Sequence, residues 1–171
     1  MSNNKNIKVE NLTENDLEET KAFMLGIIKD DFGYDFNPQW HSDIVNIYDI
    51  YVGNPKSCLF ITKDQEGIIG TIAGRAYDKS YNFTSKYNSD NTLGIWRHYV
   101  KKDLRGRGVG TKLLKQLEEF AKENGYKYIY LHTQKTIPGS LEYCVSKGYE
   151  IIFDAQDDLQ TIHLEKQLFN L

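Results

Sequence analysis

Residues Val100 to Leu114 constrain this chain more than any other stretch. An apolar, strand-like run ends at Val100, a short charged link follows, and Arg105-Gly106-Arg107-Gly108-Val109-Gly110 leads into an amphipathic helix. A strand feeding a glycine-rich turn that opens a helix is a phosphate-binding arrangement. The first helical turn leaves backbone N–H groups without acceptors, and the helix dipole places about half a positive charge there. Glycines let a phosphate approach that backbone without meeting a Cβ. Arg105 and Arg107 add cationic donors. The P-loop pattern G-x-x-x-x-G-K-S/T is excluded, because Thr111 follows Gly110 where lysine is required. The dinucleotide pattern G-x-G-x-x-G fails too, because Thr111 and Lys112 follow the three glycines. Arg105-x-x-Gly108-x-Gly110 remains. Its alternative is an ordinary strand-to-helix turn, in which three alternating glycines are a conformational cost without a ligand.

At 171 residues the expectation is one domain over residues 1–171, long enough to bury a real core. The composition, 40% hydrophobic and 26% charged, is that of a soluble globule. No window approaches the ~18–20 apolar residues of a membrane span, and no membrane partner is expected. Residues 1–6 lack the apolar core of a signal peptide and read as a flexible N-terminus. Cys58 and Cys144 make neither a disulfide framework nor a metal site, and a cytoplasmic enzyme with reduced thiols follows. The net charge of −3 argues against nucleic acid as a partner of the whole surface. The basic residues instead cluster at Arg97, Lys101, Lys102, Arg105, Arg107 and Lys112, which suits a discrete polyphosphate ligand.

The element order reads β-α-α-β-β-β-α-β-α-β-β. A first strand at 7–10 precedes a helix capped by Thr13 and running to about Asp31, with Leu17, Thr20, Met24, Ile27 and Ile28 on one face. Asn37-Pro38 starts a second helix with Trp40, Ile44, Ile47, Tyr48 and Tyr51 on its apolar face. Strands at 58–62 and 68–77 form a hairpin. Residues 78–91 are long for a connection and read either as a solvated loop or as a substrate lid. A fourth strand, 93–100, enters the glycine turn. The helix after it carries Val109, Leu113, Leu114, Leu117, Phe120 and Ala121 on one face and stops at Asn124-Gly125. A fifth strand, a short helix over 137–147 and two last strands complete the chain. The crossover around the glycine turn implies a parallel strand pair, and the hairpin implies antiparallel ones.

Taken with this order, Tyr99-Val100-Lys101-Lys102-Asp103-Leu104-Arg105-Gly106-Arg107-Gly108-Val109-Gly110 resembles the V-x-P-x-x-R-G-x-G-I/V-G segment of the GNAT acetyltransferase superfamily, with Lys102 in place of the usual proline. The resemblance implies an α/β (α+β) GNAT fold: a central, mixed, mostly antiparallel sheet of about seven strands, helices on both faces, and a splay between strands four and five. It also implies two contact sets for acetyl-CoA as acyl donor. The backbone of His98, Tyr99 and Val100 would hold the pantetheine arm and thioester. Arg105, Gly106, Arg107, Gly108, Val109, Gly110 and Thr111 would hold the pyrophosphate. A β-bulge on the fourth strand commonly opens the splay, and Gly94 could allow one. A second segment resembles N-x-x-A-x-x-F/L-Y-x-x-x-G-F/Y, with Gly148-Tyr149 at its end. The family's frequent tyrosine, the acid for the departing thiolate, falls on Cys144, with Tyr143 beside it.

The implied function is acetyl-CoA-dependent N-acetyl transfer to a primary amine of a small molecule or peptide by direct attack, with no metal. Strand four carries no acid from Leu93 to Val100, so His98 is its one titratable base, with His132 as runner-up. Tyr143 or Cys144 is the candidate acid. The loop between the first two helices borders the acceptor in this fold, making Tyr34, Asp35 and Phe36 substrate candidates, and acid with aromatic suits a cationic amine. Two alternatives remain: a non-catalytic acyl-CoA-binding sensor, and an N-acetyltransferase acting on a protein. The sequence leaves monomer and homodimer open.

Overall fold

A computed structural model describes residues 7–169, so residues 1–6, read above as a flexible terminus, lie outside the described residues. Seven strands, β1 (Val9–Asn11), β2 (Cys58–Asp64), β3 (Gly67–Ala76), β4 (Thr92–Val100), β5 (Tyr128–Gln134), β6 (Glu150–Asp154) and β7 (Thr161–Gln167), form one sheet in the order β1-β2-β3-β4-β5-β7-β6. The helices are α1 (Leu17–Asp30), α2 (Ser42–Val45), α3 (Val109–Glu123) and α4 (Ser140–Ser146). The β1-β2, β2-β3, β5-β7 and β6-β7 pairs are antiparallel and the β4-β5 pair is parallel. The parallel ladder is short, running from Thr92–Tyr128 to Gly94–Tyr130. The described residues gather into two compact units, one of 7–75 with 96–120 and one of 76–95 with 121–169.

In the first unit, alternation along β2 sorts the helices onto two faces. Leu59 and Ile61 join Met24 and Ile28 of α1 and Ile44 of α2 in one buried cluster. Phe60 points the other way, edge-on to Phe120 of α3 at 6.3 Å. Buried α1 residues Thr20, Met24 and Ile28 recur every four positions, as the apolar pattern requires. On α3, Val109, Leu113, Leu114, Leu117 and Ala121 are buried. Gly70 of β3 lies beneath this helix, where a Cβ would meet Leu113 Cδ1 at 2.9 Å and Val109 Cγ1 at 3.1 Å.

The second helix starts later than Asn37-Pro38 predicts. Asn37 Oδ1 caps the amides of Gln39 (2.9 Å) and Trp40 (3.1 Å), and Asn37 O accepts from the His41 amide (2.9 Å), so one helical turn opens there; His41 then leaves helical backbone (φ −114°, ψ 21°), and regular helix begins at Ser42. Helix α2 then gives way to a π-helical turn over Tyr48–Val52.

In the second unit, Tyr77, Tyr87 and Tyr130 form a buried aromatic cluster. Residues 78–91 are mostly exposed but anchored at Phe83, Thr84 and Tyr87. Phe83 stacks on Phe153 at 4.2 Å and on Tyr81 at 5.2 Å, and the Tyr87 hydroxyl donates to Glu165.

Candidate active site

The glycine turn is built as a cradle. After Val100, the Lys101 amide donates to Ile69 O at 2.9 Å, and a 3-10 turn over Lys102–Leu104 follows. Gly106 (φ 75°) and Gly108 (φ 86°) are left-handed, a conformation that costs other residues roughly 1–2 kcal/mol. A Cβ on either would have no atom within 4 Å, so the space over this backbone is open. The Lys112 amide donates to Gly108 O at 3.1 Å, so α3 begins at the second of these glycines. The amides of its first turn have no acceptor inside the helix. Open backbone, first-turn amides and helix dipole fit a pyrophosphate.

The two arginines differ. Arg105 folds back: its Nε donates to Val100 O at 2.9 Å, and its guanidinium pairs with Asp31 at the end of α1. It fastens the turn to the strand before it. Arg107 and Thr111 are exposed at the cradle.

His98, of β4, turns its ring to the same helix. Its Nε2 lies 3.1 Å from Gly110 O, so that nitrogen carries the proton in the bonded tautomer. Burial pushes its pKa down to about 4, against which the Gly110 bond acts only partly. The imidazole is neutral at pH 7.

The residue before it breaks the strand's alternation. Trp96 packs against the α1–α2 cluster, and Arg97, next in line, reaches the same side to Asp43 of α2. Tyr99 returns to that cluster, 5.7 Å from Phe32, while His98 faces α3. Arg97 is left-handed, φ 50°. Two successive side chains on one face with a left-handed residue between strand segments is the geometry of a β-bulge. It falls at Arg97, not at Gly94. The Arg97 guanidinium forks onto Asp43, Nε to Oδ2 at 3.0 Å and Nη2 to Oδ1 at 2.6 Å. It also donates to Trp40 O at 2.8 Å and to Tyr99 Oη at 3.3 Å. Thr71 Oγ1 donates to Arg97 O, and Tyr51 Oη to Asp43 Oδ2, at 2.8 and 2.7 Å. Burial alone would raise the Asp43 carboxyl, but Arg97 outweighs it and holds the group below the usual carboxylate range. Breaking a buried pair of this kind costs about 3–5 kcal/mol, more than the strain of one left-handed residue.

The remaining candidates are placed as follows. Tyr34, Asp35 and Phe36 lie in the α1–α2 loop, exposed, with the Phe36 ring 5.8 Å from His41. Tyr143 and Cys144 sit on α4 in the second unit. The Tyr143 hydroxyl is buried, and burial pushes the Cys144 thiol up to about 11. His132 of β5 lines a recess with Tyr81, Phe83, Phe153 and His163. Among the described residues, no group of three or more His, Cys, Asp or Glu is gathered to hold a metal ion.

Sequence reasoning missed Arg97 and Asp43 as a pair. Asp43 carried a signal: it is spaced four and eight residues from Ile47 and Tyr51, so a carboxylate fell on the predicted apolar stripe. A carboxylate on such a stripe requires a buried partner.

The family described as "Acetyltransferase (GNAT) family" matches residues 22–149. N-acetylaspartate synthetase of Homo sapiens is 28% identical over 93 residues, 54% of this chain. The matched stretch spans only 28% of that relative's length. Among solved structures, a GNAT-family acetyltransferase from Staphylococcus aureus Mu50 superposes with a TM-score of 0.76 at 20% identity, covering 95% of this chain and 99% of that one. The structure of yncA from Salmonella typhimurium, solved with its cofactor acetyl-CoA, superposes with a TM-score of 0.72 at 13% identity, covering 98% and 96%.

Proposed function

This chain belongs to the acetyltransferase (GNAT) family, and from that premise we propose that it transfers the acetyl group of acetyl-CoA to a primary amine of a small molecule or peptide. The observation that carries this reading is the cradle: left-handed Gly106 and Gly108 under open space, at the first turn of α3. Bound there, acetyl-CoA supplies the activated acetyl carbonyl. Arg105 to Thr111 bind its pyrophosphate, and the backbone of His98, Tyr99 and Val100 orients its pantetheine arm. The acceptor amine attacks directly, and Tyr34, Asp35 and Phe36 border its approach.

Proximity does most of the work in this reading. A protonated amine leaving its proton on His98, whose pKa is about 4, would run uphill by several kcal/mol, at 1.36 kcal/mol per unit. His98 instead anchors the start of α3 through Gly110, and the amine attacks from its unprotonated fraction, its ammonium proton having been released to bulk solvent before binding. Cys144, pushed up to about 11, is a poor acid for the departing thiolate, so Tyr143 is the better candidate of the two. The family match runs through both units, which supports one acetyltransferase domain over residues 1–171. Two free, buried thiols support a cytoplasmic setting.

The test is calorimetric titration with acetyl-CoA, followed by thiol release across amines, polyamines and peptides. Gly108→Glu should abolish binding by filling the cradle with a side chain and a negative charge. Unchanged affinity in that variant sinks the assignment. Tight binding with no turnover on any acceptor favours the sensor alternative, and turnover confined to protein substrates favours the protein-acetylating one.

A further inference from the structure

We propose that Asp43 and Arg97 form a positioning clamp that holds β4 in its left-handed turn and thereby sets the line of backbone, His98 to Val100, that receives the pantetheine arm. The proposal rests on the acyl-CoA reading above. It starts from a conflict in the backbone. Arg97 has a Cβ and yet is left-handed at φ 50°, so the surrounding structure must impose that conformation.

Three separate elements impose it. From α2, Asp43 takes both arms of the guanidinium fork. From the α1–α2 loop, Trp40 O accepts from Nη2 at 2.8 Å. From β3, Thr71 Oγ1 grips the Arg97 carbonyl itself at 2.8 Å. Asp43 is in turn fixed by Tyr51 at 2.7 Å, so the acceptor of the fork cannot swing away. The effect on β4 is a change of phase. With strict alternation, His98 would share the face of Trp96. With the turn at Arg97, His98 faces Gly110 at the start of α3, and Tyr99 faces the α1–α2 cluster. The amides and carbonyls from His98 to Val100 therefore take their directions from the clamp. The loop that holds Tyr34 to Phe36 is tied to the same guanidinium through Trp40.

The fork matters as much as the charge. A lysine keeps one positive charge but offers no planar pair of donors for Asp43 with a further one for Trp40 O. The test therefore uses Arg97→Lys and Asp43→Asn in the full chain, with Arg97→Gly as a third variant that permits the left-handed turn and lacks the clamp. Each is titrated with acetyl-CoA and with 3′-phosphoadenosine 5′-diphosphate, which keeps the pyrophosphate and has no pantetheine arm. Expected is about a tenfold loss for acetyl-CoA, the size of one or two misaligned backbone bonds, with the nucleotide bound within about twofold of wild type. Hydrogen exchange should quicken at amides 96–100 and stay unchanged at 109–114.

Equal loss for both ligands, the signature of a merely structural role, overturns the clamp. So does full acetyl-CoA affinity in all three variants. If a variant fails to fold, the comparison is read from the others, and exchange at 96–100 no faster than wild type in those overturns it equally. A wild-type protein that binds neither ligand removes the acyl-CoA reading itself, and that outcome is distinct from retained binding in the variants.

Discussion

Gly70→Ala tests how closely α3 must sit on β3 for the cradle to stand where it does. The new Cβ would lie 2.9 Å from Leu113 Cδ1, 3.1 Å from Val109 Cγ1 and 3.2 Å from Thr62 Cγ2. Carbon atoms rest at about 3.5–4.0 Å, so the methyl intrudes on three sides at once. None of the three has room to retreat: Leu113, Val109 and Thr62 are 0%, 1% and 0% exposed. Overpacking of this kind costs about 1–3 kcal/mol. Against it, alanine restricts the unfolded chain and returns about 0.4–1 kcal/mol. The steric term is larger, and the expected net loss is about 1–2 kcal/mol. For a chain of this size that lowers Tm by about 2–8 °C. Urea denaturation with an unchanged m value measures it. Because Val109 is the first residue of α3, the methyl lifts the turn that carries the cradle, and acetyl-CoA affinity should fall with stability. A double variant separates packing from other causes. Leu113→Ala alone costs about 2–5 kcal/mol, and together with Gly70→Ala it should cost at least ~0.5 kcal/mol less than the sum, since the new methyl enters the space left. Full stability in Gly70→Ala, or strict additivity in the pair, refutes the reasoning.

Stability should also fall as pH drops from about 6.5. Burial holds His41, His98 and His163 below the ordinary histidine value, His98 at about 4. Below about 6.5 the unfolded chain takes up protons that the folded chain refuses, so folding weakens down to about pH 4. Below that the lowered carboxyls of Asp43 and Asp16 lose their partners and extend the decline. A Tm independent of pH between 7 and 4.5 contradicts this. Arg105→Ala should leave stability within about 1 kcal/mol, since its ion pair is partly exposed. It should weaken acetyl-CoA binding several-fold by freeing Val100 O, and calorimetry reads both. Phe83→Ala removes the stack on Phe153 and the edge-on contact with His163. Limited proteolysis should then cut within 78–91 faster than in wild type, and equal rates would mean that other contacts hold that segment.

The parts that sequence reading recovered share a local cause. Helix α3 announces itself through Val109, Leu113, Leu114, Leu117 and Ala121 because an amphipathic stripe is a property of neighbouring residues. The cradle does so through glycines that must be left-handed whatever lies around them. The second helix is shorter than periodicity predicts because the turn that Asn37 caps is broken at His41, whose backbone (φ −114°, ψ 21°) is not helical, a conformation that the apolar stripe does not encode. The bulge was harder to see. Gly94 was the residue in β4 that could adopt an unusual conformation freely, yet Arg97 adopts it, held by a carboxylate 54 residues away. No window of sequence contains both partners. The consequence reaches the chemistry, because one residue of phase in β4 decides which face His98 takes. A histidine on the Trp96 face would border the α1–α2 segment and be free to act as a base. After the turn at Arg97 it is half-buried and meets a carbonyl of α3, and its pKa is pushed down to about 4. Residue type and strand position made His98 a candidate base, but its direction was set by Asp43.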